Sequence, residues 1–190
     1  MISAKIMLLG DIGVGKTSLA RRRVFDKFDA DYKTTIGVDV LTHDIELGPE
    51  CESEVLRLVL WDTDGDFGSR IFETVYLAGA SGAIIVADAS RPGTLVKMTT
   101  LADRFAEHFP GRPVVMIVNK IDLAGPCFET GARAPRGVLY SSAKTGEGVA
   151  KILEAVVHRL PPPRGDAGAP LRVAAQAAGQ AAAVGARGRP

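Results

Sequence analysis

Residues 10–17 read GDIGVGKT, directly after a short apolar run and directly before a segment of helical pattern. This stretch matches the phosphate-loop pattern G-x-x-x-x-G-K-[ST], in which glycines let backbone N–H groups surround phosphate oxygens at the start of a helix. In that pattern Lys16 reaches the β- and γ-phosphates, and the Thr17 hydroxyl ligates Mg²⁺. The motif predicts a nucleoside triphosphate site, and by itself it fits kinases and ATPases equally well.

Apolar runs alternate with helical segments on both sides of this loop. Four runs are almost continuously apolar, as strands buried on both faces of a sheet are. These runs are residues 4–9, 55–61, 83–88 and 114–119. Helical length and pattern occur at residues 16–24, 68–78, 92–108 and 146–159. The alternation predicts βαβ units and therefore a mostly parallel sheet.

One further segment predicts an antiparallel strand. Residues 38–47 alternate in polarity, and a short polar stretch joins them to residues 55–61, which is typical of a hairpin at a sheet edge. We therefore expect an α/β protein with the P-loop NTPase fold. Its sheet is expected to be six-stranded and mostly parallel, with one antiparallel edge strand and helices on both faces.

Composition and charge exclude several classes of protein. The chain has 190 residues, 46% of them hydrophobic, which suffices for one domain with a substantial core. No apolar stretch approaches the roughly 18 residues that span a bilayer, and residues 1–10 resemble a strand more than a signal peptide, so we expect a cytoplasmic protein. A formal charge of +1 gives no global basic signature for nucleic acid. Cys51 and Cys127 lack metal-ligand spacing and are expected to be reduced thiols.

The composition changes after Leu160. We expect a globular domain at residues 1–160 and a tail at residues 161–190 that is rich in Pro, Ala, Gly and Arg. The tail has few of the larger apolar residues that offset the entropy of ordering, which favours disorder. Alternatively, residues 171–184 form an Ala-rich helix that docks on the domain or on a partner.

A second motif, NKID at residues 119–122, follows the last apolar run and so lies at the carboxyl edge of the predicted sheet, where ligands bind in open α/β folds. The Asp122 carboxylate can accept hydrogen bonds from both N1–H and the exocyclic amine of guanine. Adenine lacks that pair of donors, so Asp122 favours guanine. The motif counts against a kinase or an ATPase, which remain the competing interpretation of the phosphate loop.

The chain resembles the small GTPases of the Ras superfamily, and its motifs are most similar to those of the Rab branch. The resemblance covers about residues 4–160 and includes five motifs in order. They are GDIGVGKT (10–17), TTIGVDV (34–40), WDTDG (61–65), NKID (119–122) and SSAK (141–144). It implies a small GTPase domain at residues 1–160, monomeric, that binds GTP or GDP with Mg²⁺ and hydrolyses GTP.

The resemblance also implies roles at the phosphates and the metal. Thr35 would close over the γ-phosphate and ligate Mg²⁺, Asp62 would hold the metal through water, and the Gly65 backbone N–H would contact the γ-phosphate. The implied metal ligands are Thr17, Thr35 and Asp62. The implied catalytic residues are Lys16, Thr35, Gly65 and Asp66.

On the base side, the resemblance implies that Ala143 offers its N–H to the guanine oxygen and that Lys120 packs along the nucleotide. Phe28 matches an aromatic residue that stacks across the edge of the base. The full set of nucleotide-binding residues is then Gly13, Val14, Gly15, Lys16, Thr17, Ser18, Phe28, Thr35, Gly65, Asn119, Lys120, Asp122, Ser142, Ala143 and Lys144.

The same resemblance implies a molecular switch. The γ-phosphate and Mg²⁺ would order two loops, at about residues 30–40 and 62–76, and hydrolysis would release both. Effectors, exchange proteins and GTPase-activating proteins are the partners expected at these loops.

Three residues depart from the family in ways that predict slow GTP hydrolysis. Asp66 stands where the family has the glutamine that orients the attacking water, and an ionised carboxylate cannot donate a hydrogen bond. Asp64 adds a second negative charge, and Ile12 brings a bulky side chain into the phosphate loop. The alternative is that both acids point to solvent. If hydrolysis is negligible, the protein is instead a GTP-bound scaffold that recruits effectors.

Two further departures concern the surface. Only residues 123–141 separate the NKID motif from Ser142-Ala143-Lys144 of the SSAK motif, so the usual helix there is expected to be short or absent. No cysteine follows Cys127, so we expect no prenyl anchor and a prokaryotic member of the family.

Overall fold

A six-stranded sheet lies at the centre of the structure, a computed structural model that describes residues 2–25, 35, 37–48, 55–124 and 137–161. The strand order is β2-β3-β1-β4-β5-β6. The strands are β1 (Ile2–Gly10), β2 (Val38–Glu46), β3 (Val55–Thr63), β4 (Gly82–Asp88), β5 (Val114–Asn119) and β6 (Leu139–Tyr140). The predicted architecture is confirmed.

The sheet is parallel except at one edge. β1 pairs in parallel with β3 and β4, β4 pairs in parallel with β5, and β5 pairs in parallel with β6. β2 runs antiparallel to β3 from the Val38–Thr63 pair to the Glu46–Val55 pair, which confirms the predicted hairpin. The polar stretch between these strands, with Cys51, lies outside the described residues, as do Cys127 and residues 162–190.

In the part of the chain that the structure describes, three α-helices cover the two faces of the sheet. They are α1 (Lys16–Phe25), α2 (Gly93–His108) and α3 (Val149–Arg159). α1 and α3 pack on one face and α2 on the other, and each face has its own apolar core. Successive residues of β1 point to opposite faces, so Ile6 and Leu8 join the first core while Met7 and Leu9 join the second.

The helices form where the apolar spacing follows a helical repeat. The buried residues of α3 recur at intervals of three and four along one stripe. They are Val149, Ile152, Leu153, Val156 and Val157. The helix begins three residues later than the predicted start at residue 146, because Gly148 has a left-handed backbone with φ of 72°.

The predicted helix at residues 68–78 is wrong. Two 3₁₀ helices, Gly65–Glu73 and Val75–Leu77, occupy this region instead. Thr74 divides them with an extended backbone at φ −99° and ψ 156°, so an α-helical ladder cannot run through the segment. The N–H groups of Thr74 and Ala78 donate to carbonyls three residues back. Ile71 and Leu77 are nevertheless buried in the core on the α2 side.

The register brings four strand ends to one edge of the sheet. β1 ends at Gly10, β3 at Thr63, β4 at Asp88 and β5 at Asn119, with Asp88 and Asn119 directly paired. Carboxyl ends of parallel strands form the ligand crevice of open α/β folds. Among the described residues, no helix has both the length and the apolar character needed to cross a membrane.

Candidate nucleotide-binding site

The phosphate loop connects β1 to α1 and contains two glycines in the left-handed region, Gly13 with φ of 72° and Gly15 with φ of 96°. A Cβ atom on Gly15 would overlap the side-chain amide of Asn119, so a side chain has no room there. The ammonium of Lys16 donates to the carbonyl oxygens of Gly10 (3.1 Å) and Asp11 (3.0 Å). Burial lowers the pKa of Lys16, and the charge of Asp62 opposes this shift.

The loop is bonded directly to the NKID motif. Asn119 Nδ2 donates to the Val14 carbonyl (2.9 Å), and Lys120 Nζ donates to the Gly13 carbonyl (2.6 Å). Because these carbonyl oxygens are held from outside the loop, its N–H groups are available on the opposite side for an anion. Two motifs that lie about a hundred residues apart in sequence therefore form one structure.

A hydroxyl and carboxylate cluster stands beside Lys16. Thr17 Oγ1 lies 2.8 Å from Thr35 Oγ1, and it also donates to Asp62 Oδ2. Asp62 is fully buried, and among the described residues its Oδ1 atom has no hydrogen-bond partner. Burial raises the pKa of Asp62, although the Thr17 hydrogen bond and the Lys16 charge oppose this shift.

The donor set of this cluster fits Mg²⁺. A buried carboxylate oxygen without a donor is costly, and a cation or its bound water would satisfy it. Mg²⁺ prefers oxygen ligands and keeps several waters, so it binds at sites with few protein ligands. In the part of the chain that the structure describes, no group of three or more His, Cys, Asp and Glu side chains is placed to hold a metal. The protein ligands that this cluster offers are the hydroxyls of Thr17 and Thr35 and the carboxylate of Asp62.

On the base side, Asp122 is oriented by Ser142. Ser142 Oγ donates to Asp122 Oδ1 at 2.6 Å and accepts from the Thr145 N–H at 3.1 Å. The Ala143 N–H donates to Asn119 Oδ1 at 3.1 Å, so its predicted contact with guanine would share or exchange this bond. Ser142 and Ala143 are buried, whereas Lys144 is exposed.

The three residues expected to slow hydrolysis have distinct surroundings. Asp64 Oδ1 accepts the Asp66 N–H at 2.9 Å and so caps the first 3₁₀ helix, while Asp66 itself is exposed. Ile12 is 42% exposed. Its backbone packs so closely against Gly65 that a Cβ atom on Gly65 would overlap it. Gly65 is therefore held next to the phosphate loop, and its contact with the γ-phosphate stays a prediction.

Other predicted residues are placed as follows. Val14 is fully buried, and Ser18 lies in the first turn of α1. The described residues include Thr35 but not its two neighbours in sequence. Phe28 and most of the loop at residues 30–40 lie outside the described residues, as do residues 125–136 between the NKID and SSAK motifs.

Asp88 and Arg91 lie at the site and are absent from the sequence prediction. Asp88 is 1% exposed and accepts hydrogen bonds from Ser90 Oγ (2.7 Å) and Arg91 Nε (3.1 Å), and it forms an ion pair with Lys120 Nζ at 2.8 Å. Burial acts to raise the pKa of Asp88, but the hydrogen bonds from Lys120 and Ser90 outweigh it, so the pKa lies below its usual range. Asp88 is the last residue of the apolar run at residues 83–88, and that position was a sequence signal for the carboxyl edge of the sheet.

Comparison with known proteins agrees with this geometry. The family model of Roc, the Ras of Complex domain of DAPkinase, matches residues 5–122. The dog Ras-related protein Rab-22A is 30% identical over 181 residues, which cover 88% of this chain and 91% of that protein. The Arabidopsis thaliana Ras-related proteins RABA1c and RABA1i are 35% and 34% identical over 120 residues. The chain spans about half of their length, 54% and 53%. The chain therefore belongs to the Ras superfamily, as a Roc-like and Rab-like small GTPase domain.

Proposed function

We propose that the chain is a guanine-nucleotide switch that binds GTP or GDP with Mg²⁺ and hydrolyses GTP slowly. The observation that carries this proposal is the direct bonding of the phosphate loop to Asn119 and Lys120, with Asp122 two residues further on. The phosphate site and the base site thereby form one continuous surface at the carboxyl edge of the sheet. GTP is the ligand whose triphosphate and base match both halves.

Asp122 is proposed to select guanine. Its carboxylate has two oxygens, and the Ser142 hydroxyl fixes its orientation through Oδ1. Guanine presents two adjacent donors to such a carboxylate, whereas adenine would leave it without a matched partner. A competition experiment tests this selection: GDP should displace a fluorescent GDP analogue, and ADP should not at the same concentration.

Thr17, Thr35 and Asp62 are proposed to hold Mg²⁺, with Asp62 acting through water. When bound, the metal would neutralise charge on the β- and γ-phosphate oxygens. The orphaned Asp62 Oδ1 atom supports this assignment, because a hydrated cation would supply the donor that it lacks. Lys16 and the loop N–H groups would stabilise the remaining phosphate charge, so hydrolysis would depend on electrostatic preorganisation without a covalent intermediate.

Slow hydrolysis is proposed because no glutamine follows Gly65. The side chain at that position, Asp66, is a carboxylate, which cannot donate a hydrogen bond while ionised. Its exposure is the feature that the alternative, with both acids pointing to solvent, would share. Asp64 accepts the Asp66 N–H through Oδ1 and so caps the first 3₁₀ helix. A protein of this kind would keep GTP bound until an activating partner supplied the missing groups.

Single-turnover hydrolysis of bound GTP with Mg²⁺ tests this proposal. Asp66→Gln is expected to raise the rate by about tenfold or more, because glutamine can orient the attacking water. Asp103→Gln is the matched control, since Asp103 is an exposed acid on α2 and should leave the rate unchanged. Rapid wild-type hydrolysis, or an Asp66→Gln variant no faster than wild type, would show that Asp66 does not limit the reaction.

The alternative is a scaffold that binds GTP without turnover. It would be favoured if neither wild type nor Asp66→Gln released phosphate while both retained GTP. Effectors, exchange proteins and activating proteins are proposed to bind the loops at residues 30–40 and 62–76. The division into a domain at residues 1–160 and a tail at residues 161–190 stays a prediction.

A further inference from the structure

Three consecutive carbonyl oxygens of the phosphate loop accept hydrogen bonds from side chains outside the loop. The pairs are Ile12 O with Arg91 Nη2 (2.7 Å), Gly13 O with Lys120 Nζ (2.6 Å) and Val14 O with Asn119 Nδ2 (2.9 Å). The next carbonyl, that of Gly15, accepts from the Leu19 N–H within α1 at 2.9 Å. The outward side of the loop is thus held continuously, and two of its bonds come from cations.

A single buried carboxylate organises both cations. Asp88 Oδ2 lies 2.8 Å from Lys120 Nζ and 3.1 Å from Arg91 Nε, and Oδ1 accepts from the backbone and hydroxyl of Ser90. Arg91 therefore uses Nε on Asp88 and Nη2 on the Ile12 carbonyl. A guanidinium presents its donors in a fixed planar arrangement, so fixing one donor also aims the other.

The acid within the loop is neutralised from the same side. Asp11 would otherwise place a negative charge next to the phosphates, but its carboxylate lies 2.9 Å from Lys97 Nζ on α2. With Asp11 paired to Lys97, the two cations Arg91 and Lys120 outnumber the carboxylate of Asp88 on the outer side of the loop. Lys16 is balanced separately by Asp62 and Asp64.

We propose that Asp88 and Arg91 are positioning residues of the phosphate loop: Asp88 aligns Arg91 and Lys120 so that they capture the Ile12 and Gly13 carbonyls and turn the loop N–H groups towards the β-phosphate. The inference rests on the proposed function, since it assumes that a nucleoside diphosphate binds in the loop. Loss of Arg91 frees the Ile12 carbonyl, and loss of the Asp88 charge releases both cations. Either change should weaken phosphate binding more than binding of the rest of the nucleotide.

The test compares GDP with GMP, which lacks the β-phosphate that the loop encloses. Wild type, Arg91→Ala and Asp88→Asn are loaded with a fluorescent GDP analogue in the presence of Mg²⁺. The release rate is measured first, followed by competition with GDP and with GMP. Arg91→Ala is expected to release the analogue about tenfold faster and to lower the ratio of GDP affinity to GMP affinity by about tenfold, the loss of one charge-assisted hydrogen bond. Asp88→Asn should have at least as large an effect, because it releases both cations.

Arg57→Ala is the matched control. Arg57 forms a bidentate ion pair with Asp44 on the exposed β2–β3 hairpin, so its loss removes the same kind of contact away from the loop. Arg57→Ala should leave the release rate and the affinity ratio unchanged. Because Asp88 is buried and Asp88→Asn can fail to fold, the partly exposed Arg91 decides the test.

Two results would overturn the inference. One is an Arg91→Ala variant that releases the analogue at the wild-type rate. The other is a variant in which GDP and GMP affinity fall by the same factor, which would indicate a general structural role. A wild-type protein that binds neither GDP nor GMP would instead refute the proposed function, and the two failures are therefore distinguishable.

Discussion

Gly15→Ala should be unusually damaging for a change of one methyl group. Gly15 has φ of 96°, which side chains rarely adopt, and the added Cβ would overlap the Asn119 amide nitrogen. The Asn119 side chain would have to move. It would then lose the hydrogen bond that it donates to the Val14 carbonyl (2.9 Å) and the one that it accepts from the Ala143 N–H (3.1 Å). The change therefore affects the phosphate loop and the base segment together.

The magnitude follows from these two effects. An unfavourable backbone conformation costs about 1–3 kcal/mol. Two lost hydrogen bonds add about 1 kcal/mol each. Gly15→Ala should thus lower the free energy of unfolding by about 3–5 kcal/mol. Gly79→Ala is the matched control, because Gly79 also has a positive φ of 74° but no atom of the described residues lies within 4 Å of an added Cβ. It should cost only the backbone part, about 1–3 kcal/mol.

Urea unfolding of the nucleotide-free protein measures both variants, and competition against a fluorescent GDP analogue measures affinity. Gly15→Ala should be less stable than Gly79→Ala by about 2 kcal/mol and should lose GDP affinity by more than about tenfold. Gly79→Ala should keep the wild-type affinity. Equal destabilisation by the two variants would refute the reasoning, since Asn119 would then have moved without losing its hydrogen bonds.

Three other perturbations test the site and its surroundings. Asp62→Asn should stabilise the nucleotide-free protein against urea at neutral pH while weakening Mg²⁺ binding. Burial raises the pKa of Asp62, so the charged side chain destabilises the folded state at any pH above the pKa that this carboxyl has in the unfolded state. Ser142→Ala should weaken GDP binding by about tenfold in the displacement assay, because Asp122 loses a hydrogen bond to a charged group. Burial and the charge of Arg23 lower the pKa of His43, so below about pH 6.5 the unfolded state binds more protons than the folded state. The free energy of unfolding should therefore fall as pH decreases. His43→Gln should flatten that part of the plot of urea midpoint against pH.

Much of the fold was predictable because its strands and helices have strong local patterns. The apolar runs became β1, β3, β4 and β5, and the alternating residues 38–47 became the antiparallel edge strand. The prediction failed at residues 68–78, where helical spacing of apolar residues is compatible with either helix type. Thr74 and the packing of Ile71 and Leu77 decided between them, and neither is a local property.

The candidate site was predictable to the extent that its chemistry depends on contiguous motifs. The loop at residues 10–17 and the NKID motif are short segments whose spacing carries their chemistry, and the structure brings them into contact. Arg91 could not be found in this way, because its contact with the Ile12 carbonyl spans 79 positions in sequence. The pairing of Asp11 with Lys97 spans 86 positions.

The sequence by itself determined the α/β class and the phosphate loop, and it predicted a preference for guanine, because each depends on residue types at fixed local spacing. Only the tertiary structure decided which side chains hold the outside of that loop and which carboxylate is left with an unpaired buried oxygen. The first property arises from the register between β4 and β5 and from the packing of α2 beside β1. The second arises from the pairing of β3 with β1 and β2, which places Asp62 inside the sheet. Burial then makes a partner necessary for each of these carboxylates, since a carboxylate removed from water is stabilised only by a cation, a hydrogen-bond donor or a proton.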